Sequence, residues 1–188
     1  RVTGSHLTSM HSMDNYYVSK LLPLIAEAGV SVIANPLINI TLQGRHDSYP
    51  KRRGMTRVPE LMAAGVNVAF GHDCVMDSWY GMGSGDMLEV AHMGLHVAQM
   101  TSQAGIHKCF NAVTTNAAKV MHLQGYGLEP GCDASFVLLQ ARDPVEAIRL
   151  RAARLKVWRA GRLLAASAPQ QVRLDLPGRA AAVDFLRS

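Results

Sequence analysis

No apolar run in this chain approaches the roughly 18 residues that a membrane-spanning helix needs, so a membrane partner is not expected. The opening stretch "RVTGSHLTSM" has no apolar core of the kind a signal peptide carries. It also lacks an initiator Met and starts in mid-pattern, so the chain is expected to be part of a longer one. Cysteine is scarce. Cys74, Cys109 and Cys132 are odd in number and far apart, and no C-x-x-C occurs. That excludes a disulfide scaffold or a zinc ribbon and fits a reducing, cytoplasmic setting. Aromatic residues make up only 6%. No aromatic-rich platform or helix-turn-helix accompanies the tightest basic cluster, Lys51, Arg52 and Arg53. The net charge of +5 is otherwise scattered, so no nucleic-acid partner is expected. Repeats and low-complexity segments are missing as well.

What is present is a globular composition: 188 residues, 48% hydrophobic and 18% charged. That is enough for a sizeable core and one or two domains. Residues 14–29, "DNYYVSKLLPLIAEAG", read as a helix capped by Asp14 and closed by Gly29, with Pro23 in its middle. "VSVIA", 30–34, reads as a buried strand. "NPLINITLQGRHDSYPKRRG", 35–54, reads as a long polar loop. A helix over 56–65 and a buried strand over 66–71 follow. This alternation implies parallel strands covered by helices. After a loop at 72–84, helical patterns run over 85–103 and 107–123. Near 125–130 the texture changes to a short apolar strand among turn signals. Then comes "KVWRAGRLLAAS", two short strands joined at Ala160–Gly161. The fold class is therefore α/β, with a β-rich portion at the carboxyl end.

Chemistry in an α/β barrel gathers at the carboxyl ends of its strands. "VTGSH" delivers His6 there, and "VNVAFGHD" delivers His72 and Asp73, with "VSVIANP" ending at Asn35 between them. A His and an Asp at one mouth suit a divalent-metal hydrolase, the carboxylate binding the cation and moving a proton. The same residues also suit a capped turn at Asp73 and a rim hydrogen bond from His6, and spacing alone leaves both readings open. His92 and His96, four apart, share a helix face, but Met93 stands where a metalloprotease carries Glu. His11, His46, His107 and His122 have no partner at ligand spacing. The methionines of 82–100 suit core packing.

Four segments carry a family resemblance: "SHLTSMHS", "ANPLINITLQGRHDSYPKRRGMTRV", "GVNVAFGHDCVMDSWY" and "MLEVAHMGLHVAQM". Together they resemble the carboxyl-terminal half of microbial cytosine deaminases, within the amidohydrolase superfamily. "LEPGCDASFVLL" and "VWRAGRLL" resemble the small β-sandwich that flanks the barrel there. The resemblance implies the carboxyl-terminal part of a (β/α)8 barrel over 1–127. It implies part of the β-sandwich and a carboxyl-terminal tail over 128–188. It implies one iron or zinc ion, with Asp73 as ligand and proton shuttle and His6 beside the attacking water. It places Trp79 near the substrate. By the resemblance Cys74, assigned to substrate binding, stands where well-known cytosine deaminases carry a second Asp close to the substrate; a small buried residue behind Asp73 is the other reading of it.

The resemblance also implies ligands that this chain lacks, an H-x-H pair and a fifth-strand His. The activity it implies is hydrolytic deamination of cytosine or a similar nitrogen heterocycle, as part of a longer chain. Two other readings stand beside it: a non-catalytic fragment or split half, and an amidohydrolase that cuts a ring amide. The expected partners are the small heterocycle and either further copies of the chain or a missing amino-terminal half.

Overall fold

The computed structural model describes residues 2–178. Its first unit is a parallel three-stranded sheet. β1 (Thr3–Ser5), β2 (Ser31–Ala34) and β3 (Val68–Phe70) lie in that order, with Ser5 beside Ile33 and Ala34 beside Phe70. Parallel neighbours need crossover connections, and helices supply them. α1 (Asn15–Glu27) links β1 to β2. Asp14 caps it, its carboxylate accepting from the Tyr17 N–H at 2.9 Å, and Gly29 follows it with a φ of 63°. Pro23 lies inside the helix without ending it.

Between β2 and β3 the expected polar loop is only partly a loop. Its first residues form α2 (Pro36–Leu42). Proline at the first helical position is pre-set for a helix start, and Leu37, Ile38 and Asn39 are buried. The rest of the segment is held by its own charges. Arg52 donates to both carboxylate oxygens of Asp47, at 2.5 and 2.7 Å, and Lys51 donates to the Gly44 and Arg45 carbonyls. α3 (Val58–Ala63) then leads into β3.

α4 (Met87–Val97) lies against β3, and α2 packs on it. Gly94 makes the close approach to β3, since a Cβ there would sit 2.4 Å from the Phe70 ring. The helix expected over 107–123 starts earlier and divides into α5 (Gln103–Ala112) and α6 (Thr115–Val120). Ser102 caps α5 by accepting from the Gly105 N–H. The break falls in the β-branched run Val113–Thr114–Thr115, where Thr114 leaves helical geometry with φ −128° and ψ −98°.

The second unit is antiparallel: β4 (Phe136–Leu139), β5 (Arg154–Arg159) and β6 (Arg162–Ala166). β5 and β6 join at Ala160 and Gly161, with φ 48° and 77°. Two positive φ values in a two-residue loop match the twist of a hairpin. Between β4 and β5 lies α7 (Pro144–Leu150), which the sequence reading did not separate from its surroundings. Its Ala147 and Ile148 join the core formed by Val32, Val68, Phe70 and Val90. Arg154 on β5 forks onto Asp86, the residue that caps α4. These two links tie the units together. The tail expected beyond residue 178 lies outside the described residues. Among the described residues, no helix is long and apolar enough to cross a membrane.

Candidate functional site

The sheet order puts the ends of β1 and β3 two strand spacings apart, about 10 Å, with β2 between them. Each outer strand ends in a left-handed residue. His6 has φ 67° and Leu7 47°, and Asp73 has φ 66°. Such conformations cost a non-glycine residue on the order of 1–2 kcal/mol and are tolerated best by short polar side chains. Backbone strain of this kind concentrates at functional positions. Here it turns both chains inward over the end of β2. The His6 Nε2 and Asp73 Oδ2 atoms lie 3.3 Å apart. The His6 N–H still donates to the Ile33 carbonyl at 2.8 Å, so the turn begins on the sheet itself.

The other face of the His6 ring meets α2. Asn39 Nδ2 lies 2.8 Å from His6 Nδ1, and Asn39 Oδ1 accepts from the Asn35 N–H at 3.2 Å. Both asparagines are buried. Asn35 also donates to the Ser5 hydroxyl at 3.3 Å. Gly71 completes the floor. Its N–H donates to the Ala34 carbonyl, and a Cβ there would sit 2.3 Å from Asn35 Oδ1.

His72, next to Asp73, does different work. Its Nε2 accepts the Gly85 N–H at 3.1 Å, which leaves the proton on Nδ1 to be donated to the Cys74 carbonyl at 2.9 Å. The buried ring thus closes the loop between residues 72 and 85. Cys74, next to Asp73 in the chain, is buried. Burial pushes its thiol up to about 11, aided by a hydrogen bond to Asp77 and by the charges of Asp73 and Asp77. It is a neutral thiol at physiological pH. Asp77 accepts from the Tyr80 and Trp79 N–H groups, which hold its carboxyl below the ordinary range. Trp79 stands on that loop, 68% exposed, open to solvent rather than packed over the pair.

Of the residues singled out in the sequence, then, the fold brings His6 and Asp73 together and buries Cys74, the residue after Asp73. Trp79 stands out on the loop. Asn39 was missed because its segment read as loop. The Asn35–Pro36 step, a cap-type residue before a first-turn proline, was the available signal. His92 and His96 do face each other, ring centroids 4.6 Å apart, with the Arg151 guanidinium 3.5 Å from His92 Nε2.

Among the described residues, no three His, Cys, Asp or Glu side chains cluster closely enough to hold a metal ion. Asp73 fits as one hard oxygen donor. The described residues do not supply the remainder of a cation site.

Known proteins share this arrangement of segments. The model of the "Amidohydrolase family" matches residues 1–165. A solved 5-methylcytosine deaminase from Klebsiella pneumoniae is 40% identical, with a TM-score of 0.89 over 92% of this chain and 42% of its own. A solved N-isopropylammelide isopropylaminohydrolase from Burkholderia multivorans is 30% identical, with a TM-score of 0.76 over 88% of this chain and 39% of its own. A pterin deaminase from Rhizobium rhizogenes is 30% identical over 93% of this chain and 40% of its own length. The chain therefore spans about two fifths of these relatives. A match over nearly the whole chain, with the fold to go with it, assigns this chain to the amidohydrolase family.

Proposed function

We propose that this chain is the carboxyl-terminal portion of a hydrolytic deaminase that removes the amino group of cytosine or a similar nitrogen heterocycle as ammonia. The observation that carries the reading is the 3.3 Å approach of His6 to Asp73 at the carboxyl ends of parallel strands. Two relatives act as deaminases on 5-methylcytosine and on pterin, both ring systems of this chemical class. Residues 1–127 are assigned to the barrel portion and 128–188 to the sandwich portion and tail, with α7 packing back onto the barrel side.

In this reading the oxygen of water forms the new bond to the amino-bearing ring carbon. Asp73 takes one water proton and passes it to the amino nitrogen. The carbon–nitrogen bond breaks and ammonia leaves. The second proton ends on the ring nitrogen, and the product carries a carbonyl. His6 donates a hydrogen bond on the side of attack. One divalent cation, iron or zinc, would acidify the water. Asp73 is this chain's contribution to holding it, with the other donors outside the described residues. Cys74, a small neutral group buried next to Asp73, and Trp79, on its solvent-exposed loop, are the residues this reading assigns to the substrate side.

Ammonia release by the full-length protein over a panel of aminated pyrimidines, pterins and triazines tests the reading. Turnover on at least one is expected. Cleavage of a ring amide with no ammonia from any would replace it by the amidohydrolase alternative.

A second reading concerns the chain by itself, as a non-catalytic half. It is favoured by the lack of a metal-donor cluster among the described residues and by the apolar side chains at the surface of the small sheet, among them Val137, Leu138 and Leu164. Such faces and edges favour association, with further copies or with an amino-terminal portion. The purified 188-residue chain is expected to bind iron or zinc well below one equivalent. One equivalent of metal together with deaminase activity would overturn that expectation.

A further inference from the structure

We propose that Asn39 is a positioning residue that fixes the proton of His6 on Nε2, facing Asp73. The proposal rests on reading the His6–Asp73 pair as the reacting site.

It follows from counting donors and acceptors. The Asn35 backbone N–H can only donate, and it points at Asn39 with a 3.2 Å separation. The Asn39 carbonyl oxygen must therefore face it, since a flipped amide would set donor against donor. That leaves the Asn39 amide nitrogen, a donor, 2.8 Å from His6 Nδ1. Nδ1 must then present its lone pair, and a neutral ring carries its single proton on Nε2. Nε2 lies 3.3 Å from Asp73 Oδ2, so the proton points at the carboxylate.

The relay is rigid at each link. Asn39 is 2% exposed and sits in the first turn of α2, and Asn35 is 3% exposed at the helix start. Asn35 also grips Ser5, the residue before His6, through its own amide. The amino end of α2 thus sets both the orientation and the tautomer of the histidine at the end of β1. A ring of this tautomer offers the site a hydrogen-bond donor and no Nε2 lone pair. It can steady a negative oxygen but cannot take a cation through that nitrogen.

Asn39→Asp tests this with almost no change of shape. The aspartate is acceptor-only, so it draws a proton onto His6 Nδ1, while Nε2 keeps its own toward Asp73. Nitrogen NMR of the full-length protein labelled with [15N]histidine reads the tautomer. His6 is expected to show a pyridine-type Nδ1 in the wild type and a protonated Nδ1 in Asn39→Asp. Turnover number is expected to fall about a hundredfold, the scale of one acid–base contribution, with KM within about twofold. A wild-type His6 carrying its proton on Nδ1 overturns the proposal, and that measurement stands even if Asn39→Asp does not fold. A His6 Nδ1 that stays pyridine-type in Asn39→Asp, with turnover kept, overturns it too and leaves the deaminase reading standing. A proton on His6 Nδ1 of Asn39→Asp, in a protein whose wild type releases no ammonia from any base, overturns the deaminase reading and upholds the hold of Asn39 on His6.

Discussion

Asp86 joins two jobs that a pair of substitutions can separate. It caps α4, its Oδ1 accepting the Leu88 N–H at 2.7 Å, and it receives the fork of Arg154 from β5. Replacing it by Asn keeps a good cap and removes the charge. Replacing it by Ala removes both. A cap of this kind contributes about 1 kcal/mol. The ion pair is only partly buried, with side-chain exposures of 36% for Arg154 and 27% for Asp86. It therefore counts at the exposed-pair scale of about 0.5–1 kcal/mol.

Asp86→Asn should thus cost about 0.5–1 kcal/mol and Asp86→Ala about 2. At roughly 2–4 °C per kcal/mol for a chain of this size, Asp86→Ala lowers Tm by about 4–8 °C. A double-mutant cycle of Asp86→Asn with Arg154→Gln in urea unfolding should return a coupling of about 0.5 kcal/mol or more. The pH dependence follows from the native carboxyl. Burial pushes it up, but the Arg154 hydrogen bond and charge, with the Leu88 and Glu89 N–H groups, outweigh that and hold it below its ordinary value. A depressed native pKa stabilises above the unfolded value and is lost as pH falls through the native one. The wild-type advantage over Asp86→Asn should therefore fade below about pH 4. Strict additivity in the cycle, with a pH-independent difference, would refute the claim that this contact ties the two units.

Gly71→Ala forces a Cβ against Asn35 Oδ1 at 2.3 Å and Ile33 Cγ2 at 3.1 Å. It should cost about 1–3 kcal/mol. Because Asn35 supports Asn39 and Ser5, turnover should fall beyond what the lost stability accounts for. Wild-type stability and turnover in a kinetic and denaturation series would count against the relay. Thiol labelling at pH 8 should find Cys132 fast and Cys74 and Cys109 slow. The last two are buried, and burial pushes their thiols to about 11 and about 12. Rapid native labelling of Cys74 would mean the loop it anchors is open.

Much of the α/β pattern was legible because its signals are local. Asp14 caps, Gly29 stops, and the β-branched runs at 30–34 and 66–71 end in polar residues. The hairpin at Ala160–Gly161 was equally plain. α2 was hidden by its composition: Asn, Gln and Thr read as loop until burial of Leu37 and Ile38 decides otherwise. α7 was too short to show a period, and its place in the core depends on contacts far along the chain. The positions of His6 and Asp73 at strand ends could be read, but not their meeting. That depends on the order of three strands and on two left-handed turns at residues other than glycine, which no periodicity encodes. Trp79 could be placed on its loop, while its exposure depends on how that loop is pinned by His72 and Asp77.

The central claim is that Asp73 moves the proton during release of the amino group. Ammonia release by Asp73→Asn in the full-length protein, on whichever base the wild type turns over, tests it at the residue concerned. Turnover should drop by about a hundredfold or more, with the fold intact by circular dichroism. Turnover within about twofold of wild type would contradict it.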